Sequence, residues 1–238
     1  FSLSFIISNN AYNIMKDMQD KDLSKSVKAT FSMKTVTQKG KIKSLDFISW
    51  SKNNKNEQMQ IIWFIAPSSF KGVSFLKIQK NKSTNMTMWH PKYGKTRKIS
   101  SQDKGNSFMN SELTYEDLYI RNIDYFNYTL IKEENISRYD CYVIESIPNK
   151  NTNSSYLKHR TWISKKNLIP IKELSYNLDG ILYKKKKFYY NNENKIDSIK
   201  IENLKKRRYT ILSFKALDTD TEINDNVFIE RNLKRVLK

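Results

Sequence analysis

The chain has 238 residues, of which 38% are hydrophobic, and its 43 Lys and Arg against 24 Asp and Glu give a net charge of +19. This length suits one all-β domain, and no Pro-, Gly- or Ser-rich linker or fixed repeat divides it. Cys141 is the single cysteine, which excludes an intramolecular disulfide and a cysteine metal cluster. With two histidines, five glycines and no HExxH or phosphate-loop motif, the sequence predicts no enzyme activity, no cofactor and no metal.

The positive charge predicts attraction to anionic surfaces, and nucleic acid is the first class to consider. The basic residues are spread along the chain, however, apart from runs at 184–187 and 205–208. Lys, Asn and Ile are abundant throughout, which is typical of an AT-rich genome. We therefore expect no nucleic-acid partner and regard anionic membrane surfaces as the better candidate. A basic binder of nucleic acid or envelope polymer remains an open alternative.

The first eight residues form a short apolar run, FSLSFIIS, followed by Ser-Asn-Asn-Ala. This pattern is typical of the end of a secretory signal, so we interpret residues 1–8 as a signal-peptide remnant with cleavage near Ser8–Ala11. An apolar first strand or helix start is the alternative. Residues 9–238 then form a single domain, which begins with a predicted helix over 10–19.

Strands dominate from residue 26 onward. About eleven segments alternate apolar and polar residues and are joined by hairpin-length loops, which predicts an antiparallel meander. A meander this wide must curl strongly or close, and the long strands with one apolar face favour a curled, barrel-like sheet; a sandwich is the alternative. A closing helix is predicted over about 225–237 and a short helix near Thr114, so the fold class is mainly β (α+β). The apolar face exceeds what the short helices can cover, which favours an apolar cavity; a filled core is the alternative.

The stretch from Met88 to Leu118 is the most unusual part of the chain. A strand, a Pro-Lys-Tyr-Gly turn and a basic strand lead into a long connection that carries apolar residues. At its end Thr114 can cap the amide of Asp117, whose carboxylate can reach back to Thr114. His90 precedes a proline, whereas His159 stands between Lys158 and Arg160, where a surface position is expected.

This stretch resembles a sequence signature of the LolA-like family of bacterial outer-membrane lipoprotein-sorting proteins. The residues that carry the resemblance are Trp89, Pro91, Lys95, Arg97, Lys98 and Ile99, followed by the run Ser107–Leu118. Asn110 stands where the family usually has Gly, and Asn is the next most tolerant residue at positive φ. Weaker similarities lie at 11–15, 70–72, 141–145, 162–163 and 228–233, so the resemblance spans nearly the whole chain.

The resemblance implies an unclosed antiparallel β-barrel with a few helices lidding an apolar cavity. It also implies a periplasmic, monomeric carrier of lipoprotein acyl chains, working with an inner-membrane transporter and an outer-membrane acceptor. A sixteen-carbon chain bare in water costs on the order of 10 kcal/mol, so transfer between membranes needs a shielded compartment. A lipid-binding accessory of a membrane lipid exporter is the alternative with the same fold.

We assign three groups of candidate residues on this basis. The wall of the acyl-chain cavity is predicted to comprise Phe31, Met33, Phe47, Phe64, Phe75, Met86 and Met88. A lid or plug is predicted to comprise Phe108, Met109, Leu113 and Tyr115. Polar contacts at the rim are assigned to Lys95, Arg97 and Lys98. A one-residue error in register would turn a strand's side chains to the other face.

Overall fold

The computed structural model describes residues 2–22, 26–54, 57–80 and 83–236. Its one α-helix, α1 (Ser2–Asp22), extends beyond the predicted 10–19 at both ends. Phe1 and the side chains of residues 2–9 lie outside the described part, so the signal-peptide interpretation stays a prediction. No helix within the described ranges is both long and apolar enough to cross a membrane.

Thirteen antiparallel strands form one sheet, against about eleven predicted. The strands are β1 (Ser26–Val36), β2 (Ile42–Asn53), β3 (Glu57–Ala66), β4 (Ser74–Lys80), β5 (Ser83–His90), β6 (Lys95–Ile99), β7 (Phe126–Ile136), β8 (Tyr139–Pro148), β9 (Lys158–Ser164), β10 (Pro170–Tyr176), β11 (Leu182–Tyr190), β12 (Ile196–Asn203) and β13 (Arg208–Thr219). Their order is β6-β5-β4-β3-β2-β1-β13-β12-β11-β10-β9-β8-β7, so the sheet ends at β6 and β7 and is not closed. The predicted mainly β class with an unclosed antiparallel sheet is confirmed.

The chain divides into two compact units. Unit 1 comprises the segment up to residue 23 together with residues 120–209, and unit 2 comprises residues 24–119 and 210–238. The prediction of a single domain over 9–238 stays a prediction.

In unit 1, α1 packs on the face of the sheet that we call the inner face of this unit. Ala11, Ile14 and Met15 of the helix are buried against β7, β8 and β9, where they contact Phe126, Tyr128, Ile144 and Ile163. The helix forms because these apolar residues recur at helical spacing, which gives it one face to bury. A smaller cluster on the opposite face contains Cys141, Val143, Trp162 and Ile171.

In unit 2, β3 is apolar on both faces, as its sequence predicts. Trp63 and its neighbours on one face are covered by the C-terminal segment, which contributes Ile223, Phe228 and Leu233. Trp63 Nε1 donates to the Asn232 carbonyl at 2.8 Å, and Ser74 Oγ donates to the Leu233 carbonyl at 2.6 Å. We call this covered side the outer face of unit 2.

The C-terminal helix prediction is wrong for the described residues. The segment forms two short 3₁₀ helices, Asp225–Val227 and Glu230–Lys234, and Leu237 lies outside the described part. The physical reason is that its backbone carbonyls and its Asn232 side chain bond elsewhere: the carbonyls of Asn232 and Leu233 accept from Trp63 and Ser74, and Asn232 Nδ2 donates to the carbonyls of Asn226 and Val227 at 2.9 and 3.0 Å. These contacts replace regular helical hydrogen bonds.

Candidate functional site

The seven residues predicted to line a cavity share one face of unit 2, which we call the inner face of unit 2. The register pairs Phe31 with Phe47, Phe47 with Phe64, and Phe75 with Met88 across neighbouring strands. Met33 and Met86 lie on the same face by strand alternation. Five of the seven side chains are buried, whereas Phe31 and Met88 are half-buried. Their roles as a cavity wall remain a proposal.

A row of aromatic rings crosses this face from β13 to β3. Phe214 of β13 lies 4.8 Å from Phe31 between ring centroids, and Phe31 lies 5.0 Å from Phe47. Phe47 continues the row to Phe64 at 5.3 Å. Phe214 was not among the predicted residues, although the alternation of its strand could have placed it on this face.

The predicted plug covers the middle of the inner face. The Phe108 ring lies 6.0 Å from Phe64 and 5.5 Å from Phe75, and it is buried. Tyr115 lies 5.7 Å from Phe108 and 5.9 Å from Phe75. Leu113 is buried, whereas Met109 is half-buried at the turn of the loop. The apolar side chains that stood out in the sequence therefore pack on the sheet.

The plug is a loop that closes largely on itself. Phe108 N donates to the Leu113 carbonyl at 2.7 Å, and Tyr115 N donates to the Asn106 carbonyl at 3.1 Å. Met109 and Asn110 have φ of 52° and 58°, so Asn110 does occupy the left-handed region that favours glycine. We use the name plug for residues 106–119.

The expected capping pair is present at the end of the plug. Asp117 N donates to Thr114 Oγ1 at 3.2 Å, and Thr114 N donates to Asp117 Oδ2 at 2.8 Å. The helix that follows is a single 3₁₀ turn, Glu116–Leu118. The cap therefore fixes the last corner of the plug rather than starting a regular helix.

Side-chain hydrogen bonds connect the plug to the sheet. Lys43 Nζ donates to the Met109 carbonyl at 3.1 Å, and Thr210 Oγ1 accepts from Glu112 N at 2.9 Å. Lys77 Nζ donates to the Leu118 carbonyl and to Gln58 Oε1. Lys77 is fully buried, and burial lowers its pKa to about 7. Sequence reasoning missed Lys77, which stands on an apolar strand without any motif.

The three predicted rim residues lie on β6, an edge strand of the sheet. All three residues are exposed. Arg97 is opposite Met88 and Lys95 is opposite His90, so both belong to the inner face of unit 2. Lys98 is opposite Thr87 and belongs to the outer face. Lys95 and Arg97 can therefore meet a polar group beside the apolar face, whereas Lys98 cannot do so from its strand position.

Unit 1 contains a buried polar network that the sequence did not predict. Glu173 is 5% exposed, and Arg121 donates to its two carboxylate oxygens at 2.5 and 2.9 Å. Lys186 Nζ lies 3.1 Å from Glu173 Oε1, and Thr161 Oγ1 donates to the same carboxylate at 3.4 Å. Although burial opposes ionisation, the charges of Arg121 and Lys186 hold the pKa of Glu173 well below its ordinary value.

His159 belongs to this network, so its predicted surface position is wrong. It is 1% exposed, and its Nδ1 lies 2.9 Å from Ser175 Oγ. Its charged neighbours Lys158 and Arg160 lie on the opposite face, because alternate residues of a strand face opposite sides. Both pair with Glu145 on the other face, at 3.0 and 2.9 Å.

The family comparison gives one match over most of the chain. The DUF1329-like family model, whose description reads "Uncharacterized protein", matches residues 56–235. No curated protein sequence matches the chain.

Several solved structures share the fold. A DUF1329 family protein from Desulfovibrio piger superposes with a TM-score of 0.89 and 24% identity, covering 95% of this chain and 99% of the other. A domain from Vibrio parahaemolyticus, described as a putative outer membrane lipoprotein-sorting protein, superposes with a TM-score of 0.87 and 23% identity, covering 96% of this chain and 100% of the other. A LolA superfamily protein from Nitrosomonas europaea superposes with a TM-score of 0.75 and 19% identity, covering 93% of this chain and 98% of the other. At these identities the likeness establishes a LolA-like fold.

Proposed function

We propose, from the premise that this chain belongs to the DUF1329-like family and has a LolA-like fold, that it is a periplasmic carrier of lipid acyl chains. The observation that carries the proposal is the inner face of unit 2. It carries a row of aromatic rings with methionines beside it, and the plug, a loop with its own internal hydrogen bonds, packs on these rings. A lipid chain takes the place of the Phe108 ring when the plug moves away.

The energetics favour this exchange. Each buried methylene contributes about 0.8 kcal/mol, so a long acyl chain gains on the order of 10 kcal/mol on the apolar face. Moving the plug away exposes the apolar surface of Phe108 and its neighbours to water, which costs several kcal/mol. This cost keeps the net affinity for the lipid moderate. Moderate affinity suits a carrier that must release its cargo.

Half-buried positions allow a test that leaves the fold intact. Phe31→Gln and Met88→Gln each place an amide on the inner face, and we expect both to weaken binding of a fluorescent fatty acid by about tenfold or more. Lys34→Gln on β1 is the matched control, because Lys34 is exposed and belongs to the opposite face. Equal effects of all three substitutions, or no saturable binding by the wild-type protein, would refute the proposal.

The class of cargo is a separate question with its own measurement. Native mass spectrometry of protein purified from a bacterial host distinguishes triacylated peptide, as expected for lipoprotein sorting, from free phospholipid or other lipid. The second result would favour an accessory of a lipid exporter. An inner-membrane transporter, an outer-membrane acceptor and a monomeric state form part of the carrier proposal.

A further inference from the structure

Three neighbouring loops bring exposed apolar side chains to one end of unit 1. The loops are residues 153–157 before β9, residues 177–181 between β10 and β11, and residues 204–207 after β12, and together we call them the loop end of unit 1. Two of the side chains are 64% exposed, Leu178 and Ile181, and two are 41% exposed, Leu157 and Leu204. Single exposed apolar residues are ordinary, whereas a group at one place marks a surface that contacts an apolar partner.

Hydrogen bonds between neighbouring strands hold the three loops side by side. Leu157 N donates to the Tyr176 carbonyl at 3.0 Å, at the end of β10. Leu204 N donates to the Tyr183 carbonyl at 3.1 Å, near the start of β11. A β-carbon built on Gly180 would lie 3.7 Å from Leu157 Cδ2, so the Leu157 side chain lies beside the β10–β11 turn. The four apolar residues therefore belong to one local surface.

The loop end is also positively charged. Lys205, Lys206 and Arg207 are exposed, and none of them is paired with a carboxylate in the described part of the chain. Asp179 is the one acidic residue in the sequence of the three loops. Basic and apolar side chains on one surface match an anionic lipid leaflet, because its headgroups attract cations and its acyl boundary accepts apolar side chains.

The turn at 177–181 meets a requirement for entering a lipid surface, which is that polar backbone groups be satisfied within the protein. Asn177 N donates to the Ile181 carbonyl at 3.0 Å, and Gly180 N donates to the Asn177 carbonyl at 2.9 Å. Ile181 N donates to Asn177 Oδ1 at 2.8 Å, and Asn177 Nδ2 donates to Asp179 Oδ2 at 3.0 Å. The turn can present Leu178 and Ile181 to an apolar surface with all of these bonds kept.

We propose that the loop end of unit 1 docks the protein on the surface of an anionic lipid bilayer. Leu178 and Ile181 enter the boundary between headgroups and acyl chains, and the basic side chains of residues 205–207 contact lipid phosphates. The surface uses no residue of the inner face of unit 2. Docking is therefore a property beyond the binding of an acyl chain, and each can be tested without the other.

The first test measures co-sedimentation with vesicles of phosphatidylglycerol and phosphatidylethanolamine. Lys205→Gln/Lys206→Gln removes two charges from the loop end. The matched control, Arg138→Gln/Lys166→Gln, removes two exposed charges from turns at the opposite end of the strands of unit 1. We expect the affinity for the vesicles to fall about tenfold or more in the first variant and less than about twofold in the control. Since both variants have the same net charge, the difference locates the contact.

The second test concerns the apolar part of the surface. Leu178→Asn should weaken vesicle binding about tenfold, because the side chain no longer gains from leaving water. Ile131→Asn is the control, since Ile131 is 42% exposed on the edge strand β7, and its vesicle binding should be unchanged. Both variants should bind a fluorescent fatty acid as the wild-type protein does, which separates docking from cargo binding.

A polarity-sensitive label reports the contact directly. Cys141 is buried, so a nitrobenzoxadiazole label on Leu178→Cys reports the β10–β11 turn. Its emission should shift to the blue when anionic vesicles are added, whereas the same label on Ile131→Cys should not shift. Vesicles of phosphatidylcholine, which have no net charge, should bind about tenfold more weakly or less.

Three results would overturn the proposal: no saturable binding of anionic vesicles by the wild-type protein, equal losses in the loop-end variants and their controls, or an unshifted label at Leu178→Cys on bound vesicles. Any of them would leave the loop end as a surface for a protein partner.

Discussion

At the scale of single residues, Lys77 is the most unusual group in unit 2. It is a fully buried ammonium, held between Gln58 Oε1 and the Leu118 carbonyl. Burial lowers its pKa to about 7, far below the 10.5 of a free lysine. Near neutral pH the unfolded chain therefore binds this proton more strongly than the folded protein does.

This difference predicts how stability depends on pH. Between about pH 7 and about pH 9 the unfolded state carries more protons at Lys77, so the free energy of unfolding rises with pH, by about 2 kcal/mol over this range. Below the folded pKa both states are protonated and this contribution is constant. We expect Lys77→Met to abolish the rise, as measured by urea denaturation at several pH values.

Lys80 provides the control for this experiment, because it lies on the same strand and is exposed. Lys80→Met should retain the rise seen in the wild-type protein. A rise that survives in Lys77→Met would show that other groups cause it and that Lys77 stays charged when buried.

Residue positions were predicted well where one face of a strand is apolar. Five of the seven predicted wall residues lie on β1, β2 and β5, where polar residues such as Ser32, Asp46 and Thr87 alternate with them and so reveal the shared face. The run Lys184–Lys187 offers no such signal, since four identical side chains cannot reveal which two are buried. His159 was misplaced for a related reason: its charged neighbours belong to the opposite face, so they do not indicate its own exposure.

At the scale of elements, the carrier proposal depends most on the plug. A ring that only fills a core would, when removed, cost stability and change nothing else. A ring that occupies a ligand's place would also improve binding, because the ligand no longer has to displace it. The two roles are therefore separable by experiment.

Phe108→Ala should lower the free energy of unfolding by about 3–5 kcal/mol and also tighten binding of a fatty-acid probe, by about tenfold. The matched control is Phe228→Ala, which removes an equally buried ring from the outer face of unit 2. Phe228→Ala should lower the free energy of unfolding by a similar amount and leave the affinity for the fatty-acid probe unchanged. Urea denaturation and fluorescence titration measure the two effects; weaker or unchanged binding in Phe108→Ala would make the ring part of a filled core.

The order of the strands was predictable from the sequence, whereas the conformation of the C-terminal segment was not. The hairpin-length loops predicted the antiparallel order, because tight turns force neighbouring strands to pair. A closing helix was predicted over about 225–237, yet the segment is shaped by hydrogen bonds from distant groups such as Trp63 and Ser74. Local pattern carries no information about such contacts, so only the existence of the segment was predictable.

At the scale of the whole molecule, the charge of +19 raises the question of whether ligand binding is electrostatic. Much of the charge lies on exposed faces, where pairs such as Lys185 with Glu202 and Lys165 with Glu133 contribute little to stability. Salt screens exposed charges but leaves the burial of apolar surface almost unchanged. Salt dependence can therefore separate the two modes of binding.

An uncharged probe, a pyrene-labelled long-chain alcohol, has no charged headgroup that could contribute to binding. Its affinity should change by less than about twofold between about 50 mM and about 500 mM salt, because apolar burial drives binding. A DNA oligonucleotide is the comparison, since neutralising about three phosphates makes its affinity fall about a hundredfold or more over this range. Fluorescence titration measures both. Tight DNA binding at the higher salt concentration, together with no saturable binding of the alcohol, would instead make this protein a binder of polyanions.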